Sequence, residues 1–123
     1  MDGVSRHLPS LLYAHKLYRK AGSVGLSFGT AEEGRRRVDE ALAGLVGAGA
    51  GEAEARLGEA LAAVVHLARL AGVDGESALR GWAGRFKARF QALEARAAER
   101  GETLESMDQA AVAALWEETA DTA

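Results

Sequence analysis

A chain of 123 residues with 48% apolar side chains has the material for one globular domain, and only 6% aromatics leaves Ala, Leu and Val to fill most of its core. Fifteen Lys and Arg against eighteen Asp and Glu give a formal charge of −3, so no basic excess draws in DNA or RNA. Cysteine is absent, which excludes disulfides, thiolate metal sites and cysteine nucleophiles. The first residues lack a long apolar run with a basic flank, and no stretch reaches the roughly 18–20 apolar residues of a membrane span. A cytoplasmic protein with no membrane partner is the expectation.

Pro9 suits the first turn of a helix, and Leu8, Leu11, Leu12, His15 and Tyr18 then recur at helical spacing up to a stop near Gly22. The cationic far end, with Lys16, Arg19 and Lys20, suits the negative pole of a helix C-terminus as well as it suits a phosphate. Thr30 followed by Glu33 reads as a capping box opening a second helix with Val38, Leu42, Leu45 and Val46 as its apolar stripe. The glycine-alternating segment Gly47-Ala-Gly-Ala-Gly51 has no Gly-Lys-Ser/Thr after it and no strand before it, which makes it a hinge rather than a phosphate loop.

A third helix, from about Glu52 to Ala71, is apolar nearly all round in its second half and belongs at the centre of a bundle. Gly72 ends it, and Asp74 with Glu76 caps a fourth helix bearing Leu79, Trp82, Phe86, Phe90 and Leu93 at spacings of three and four. After Gly101, Thr103 or Ser106 starts a short fifth helix, Ser106 and Gln109 forming another capping box, with Val112, Leu115 and Trp116 facing inward. No alternating apolar segment argues for a strand. The expected fold is all-α: one domain over 1–123, with 1–7 and 120–123 as flexible ends.

Four ordered blocks resemble the MazG family of all-α nucleoside triphosphate pyrophosphohydrolases. They are Lys16-Leu-Tyr-Arg-Lys-Ala-Gly-Ser-Val-Gly25, the helix beginning Arg37-Val-Asp-Glu-Ala-Leu-Ala-Gly-Leu45, the block from Arg56 to Arg80, and Arg85-Phe-Lys-Ala-Arg-Phe90. A fifth, Glu99-Arg-Gly-Glu with Leu115-Trp-Glu-Glu118, matches the family's C-terminal segment. The resemblance implies an antiparallel bundle of four main helices plus a short C-terminal one, paired as a homodimer. It also implies hydrolysis of nucleoside triphosphates to monophosphate and pyrophosphate, with Mg²⁺ held by carboxylates on two neighbouring helices.

That chemistry needs several carboxylates at helical spacing, because Mg²⁺ takes oxygen ligands and water. The family's first motif, Glu-Glu-x-x-Glu, falls on Glu40, Ala41 and Gly44, with Asp39 beside it; the second, Glu-x-x-Asp, falls on Arg56 and Glu59. The implied residual catalytic and metal set is therefore Glu40 and Glu59 with Asp39, while Arg56 puts a permanent cation where a ligand stands in the family. The expectation is that Arg56 substitutes for the metal by pairing with Glu40 and Glu59. Arg85 and Arg89 match the family's basic pair that handles phosphates and equally suit solvated helix ends, with Lys20 a further candidate for a nucleotide; Trp116 matches a family tryptophan near the nucleotide, though a Trp on a short Ala-rich helix more often belongs to a core. His66 stands where the family has a polar Asn and reads as a packed histidine. The resulting expectation is a catalytically impaired nucleotide-binding or dimeric structural module, the alternative being a weak or substrate-restricted Mg²⁺-dependent pyrophosphohydrolase.

Overall fold

The computed structural model describes residues 3–5 and 7–122. The ends expected to be flexible fall partly on residues 1, 2, 6 and 123, which lie outside the described residues. Every regular element among the described residues is helical: α1 Ser10–Ser23, α2 Ala31–Leu45, α3 Ala50–Leu70, α4 Gly75–Glu99 and α5 Gln109–Glu118, with one 3₁₀ turn at Leu104–Ser106. No described helix is long and apolar enough to cross a membrane.

Local capping chemistry sets most of the boundaries. Thr30 Oγ1 accepts from the Glu33 backbone N–H at 3.2 Å while the Glu33 carboxylate accepts from the Thr30 N–H at 3.4 Å, which is the reciprocal box expected at the start of α2. Asp74 caps α4 through the Glu76 N–H at 3.0 Å and the Ser77 hydroxyl at 2.9 Å. These two hydrogen bonds favour the ionised carboxyl and hold its pKa below the usual value, the Ser77 bond most strongly.

Three boundaries differ from expectation. Pro9 is the residue before α1, its carbonyl accepting from the Tyr13 N–H at 2.8 Å, so it initiates the helix from outside. Gly49 precedes α3, and Gly51 is already inside its first turn, so the expected hinge is shorter than its glycines suggest. Asp108, not Ser106, caps α5 by accepting from the Ala111 N–H at 2.8 Å. Ser106 instead turns back to Thr103, with its oxygen accepting from the Thr103 N–H at 3.1 Å, because the 3₁₀ turn between them closes the shorter loop.

The chain falls into two compact units, Met1–Ala78 and Leu79–Ala123. In the first, α2 packs along α3 and α1 packs on α3. Small residues allow this approach: a Cβ on Gly34 would come within 2.8 Å of Leu67 Cδ2 and 3.3 Å of its Cγ, so a larger residue at that crossing has to push the Leu67 side chain aside. The buried set is Ala21, Gly34, Ala41, Ala60, Ala63, Val65 and His66. Two apolar stripes turn out less covered than their pattern suggested. Val46 at the end of α2 is 84% exposed, and Leu57, Leu61 and Val64 on α3 are each nearly half exposed. The side of α3 that packs is its alanine side.

In the second unit Leu93, Ala97 and Leu115 form the core, with Leu104, Met107, Val112 and Trp116 packed on it. On α4 the rings of Trp82 and Phe86 stack at 5.3 Å and those of Phe86 and Phe90 at 6.5 Å, while Phe86 lies 5.5 Å from Trp116. All three α4 rings keep a large exposed face.

Candidate functional site

The first unit contains a cavity of about 360 Å³ between α1, the loop before α2, α2 and α3. Its walls divide by chemistry. Tyr18, Phe28 and His66 make an aromatic wall, and Arg37, Glu40, Arg56 and Glu59 supply charge.

The aromatic wall is assembled from three separate segments. Tyr18 comes from α1 and His66 from α3, their rings 5.1 Å apart and tilted by 32°. Phe28 meets Tyr18 edge-on at 4.9 Å and His66 at 5.9 Å. Phe28 reaches this position from a loop between Gly25 and Gly29, whose φ values of 88° and 91° lie in the left-handed region that glycine enters without strain. Arg37 on α2 fixes the same loop, its Nη1 donating to the Phe28 carbonyl oxygen. Burial raises the Tyr18 pKa above the ordinary tyrosine value, and the positive charge of Arg37 partly opposes the rise.

His66 is the anomaly of this wall. It is only 3% exposed, and neither ring nitrogen has a hydrogen-bond partner among the described residues. Buried polar atoms are nearly always paired, and the exceptions concentrate where a ligand, an ion or a water completes them.

The charged side of the cavity carries the replacement noted in the sequence. Arg56 pairs at 3.7 Å with Glu59 and at 3.7 Å with Glu52, both on its own helix and both well exposed. The expected pairing with Glu40 across the helices is not among its ion pairs, and the acids involved are not buried, so desolvation does not force the arrangement. What does cross to α2 is the Arg56 side chain itself. A Cβ on Gly44 would come within 2.9 Å of Arg56 Nε and 3.1 Å of its Cδ, so the guanidinium stem lies over an α2 position that has no side chain. Two of the departures from the acidic motifs of the resemblance therefore interlock: Gly44 opens the space and Arg56 fills it.

Glu40 and Glu59 line the same cavity, as the resemblance requires of a residual acidic pair. Asp39 is not among the lining residues and pairs with Arg35 on the exposed side of α2 at 3.6 Å. Among the described residues, no group of three or more His, Asp or Glu side chains gathers at one point. The donor set does not fit a multinuclear magnesium centre, because the two lining carboxylates share their cavity with two guanidinium groups, one of them ion-paired to Glu59.

The remaining sequence candidates lie elsewhere. Lys20 is exposed near the end of α1 and does not line the cavity. Arg85 is exposed on α4 in the second unit. Arg89 stands 3.9 Å over the Trp116 ring, donates from Nη2 to the Trp116 carbonyl at 2.8 Å and from Nε to the fully buried Thr119 hydroxyl at 2.9 Å. These contacts tie Arg89 on α4 to the C-terminal end of α5. Tyr18, Phe28 and Arg37 were missed as site residues; the one sequence signal for Phe28 is a lone aromatic between two glycines immediately before a capping box.

Comparison with known proteins bears on this arrangement. The chain is similar to two nucleoside triphosphate pyrophosphohydrolases. Both come from Escherichia coli strains, and each is 28% identical over 124 residues, covering 96% of this chain and 47% of the relative. The chain spans about half the length of the curated relatives it matches. No family model matches it. The distant similarity supports the resemblance read from the ordered blocks, and the helical fold agrees with it.

Proposed function

We propose that this chain is a nucleotide-binding module of nucleoside triphosphate pyrophosphohydrolase descent in which magnesium-dependent hydrolysis is impaired. The observation that carries this reading is the seating of Arg56 over Gly44 and against Glu59, within the cavity that Glu40 also lines. A fixed cation there opposes a divalent ion directly, and an open metal site depends on charge count and geometry rather than on the fold around it. The relatives' description as pyrophosphohydrolases supports a nucleotide as the ligand.

The test is pyrophosphate release from a panel of ordinary and oxidised nucleoside triphosphates with Mg²⁺ or Mn²⁺. The wild type stays at background, and the doubly reverted Gly44→Glu/Arg56→Glu chain rises above it. A wild-type rate that the reversion does not raise overturns the reading and leaves a weak pyrophosphohydrolase using Glu40 and Glu59, the alternative that the shared cavity favours.

Pairing with a second copy is part of the same proposal. Leu57, Leu61 and Val64 stand at helical spacing on one face of α3, each nearly half exposed, and a self-complementary apolar stripe of this kind is suited to a two-fold interface. Light scattering at micromolar concentration gives the mass of a dimer, and a monomer contradicts it.

A further inference from the structure

We infer that the cavity of the first unit binds a nucleoside monophosphate without a divalent cation, the base ring lying against Tyr18, Phe28 and His66 and the phosphate on the Arg56 and Arg37 guanidinium groups. This inference rests on the nucleotide reading above and specifies its ligand.

The aromatic wall argues for the ring. Three rings within 4.9–5.9 Å of one another present π-faces and edges that any nucleobase can stack on. His66 adds recognition: both nitrogens of its imidazole are without partners here, and one of them can meet a donor or acceptor on a nucleobase edge. The size of the cavity, about 360 Å³, sits at the small end of ligand pockets and suits one ring system and a short tail.

The charged wall argues for one phosphate and no metal. Arg37 and Arg56 balance Glu40 and Glu59, so the lining has no surplus charge of either sign. A triphosphate tail without a metal needs a surplus of positive charge that this cavity lacks. A single phosphate, at about −1.5 to −2 near pH 7, asks for two guanidinium groups only. The Arg56 pairs are long at 3.7 Å and exposed, and such pairs hold weakly. A phosphate, offering several acceptor oxygens to the planar guanidinium fork, displaces them.

The competing carboxylate supplies a sign that separates this arrangement from a metal-based one. If Arg56 holds the phosphate, Glu59 competes for the same guanidinium and its removal strengthens binding. If a metal holds the phosphate, Glu59 is a ligand and its removal weakens binding.

The experiment is isothermal titration of the full chain with AMP, GMP, CMP and UMP and with the matching nucleosides and triphosphates, each in EDTA and in MgCl₂. The expected result is monophosphate binding in EDTA that Mg²⁺ leaves within a factor of about two, tightened roughly threefold by Glu59→Gln and weakened roughly fivefold or more by Arg56→Gln. The nucleoside alone binds more weakly than its monophosphate. Binding that requires Mg²⁺, binding abolished by Glu59→Gln, or tighter binding of triphosphate than of monophosphate in EDTA overturns the inference while leaving the nucleotide reading in place. Absence of binding by every nucleotide in both buffers overturns both.

Discussion

Replacing His66 by phenylalanine separates a histidine kept for a ligand from one kept for packing. Both ring nitrogens are buried without a partner among the described residues, and each such atom costs about 1–3 kcal/mol of desolvation. Phenylalanine removes both penalties and keeps a ring for the contacts with Tyr18 at 5.1 Å and Phe28 at 5.9 Å. The slightly larger ring opposes this by overpacking, roughly 1–3 kcal/mol in a tight core but less beside a cavity of about 360 Å³ that has room to take it. The net expectation is a gain of about 1–2 kcal/mol, with nucleotide affinity lost. Urea denaturation followed by circular dichroism reads the gain as a higher midpoint at unchanged slope. A loss of more than about 1 kcal/mol refutes the reasoning, because it means that the imidazole nitrogens are satisfied in the folded chain.

Other perturbations test separate parts of the account. Gly34→Ala drives a methyl to 2.8 Å from Leu67 Cδ2, and the overpacking cost of about 1–3 kcal/mol exceeds the helix-propensity gain of up to about 1 kcal/mol; Gly58→Ala, where nothing lies within 4 Å, realises the gain alone, so urea midpoints of the two variants move in opposite directions. Arg89→Met removes two hydrogen bonds and a cation–π contact and destabilises the second unit by about 2–4 kcal/mol, read from circular dichroism, while nucleotide affinity measured below the melting range stays unchanged. Burial raises the Tyr18 pKa, so its neutral form is favoured on folding: stability is intact below the unfolded tyrosine value near 10 and falls as pH rises from there through the folded value. Phenolate absorbance resolves Tyr18 as a late-titrating group, and Arg37→Gln moves it later still, since the Arg37 charge holds it down.

Helix positions were legible in the sequence because their signals are local. The Thr30 and Glu33 box and the Asp74 cap each involve residues within three positions of one another, so spacing alone specifies them. Asp108 was overlooked because Ser106 and Gln109 offer the same pattern two residues too early, and only the 3₁₀ turn decides between them. The apolar stripe of α3 was legible as a pattern, but which side of it packs is decided by the alanines that let α2 approach.

The candidate site was half legible. Glu40, Arg56 and Glu59 came from the resemblance, whose two acidic motifs fall on α2 and α3, and the packing of those helices brings all three to one cavity. Of the two partners expected for Arg56, Glu59 is among its ion pairs and Glu40 is not: the missing side chain at Gly44 gives the arginine its path and leaves its ion pairs on α3. Tyr18, Phe28 and His66 sit ten or more residues apart along the chain, and no spacing rule links residues that only tertiary packing brings together.

If a guanidinium holds the acidic corner in place of a divalent ion, electron paramagnetic resonance of Mn²⁺ in the presence of a non-hydrolysable nucleoside triphosphate shows no tightly bound Mn²⁺ on the wild type and a bound signal on Gly44→Glu/Arg56→Glu. Tight Mn²⁺ on the wild type that Glu59→Gln removes contradicts it.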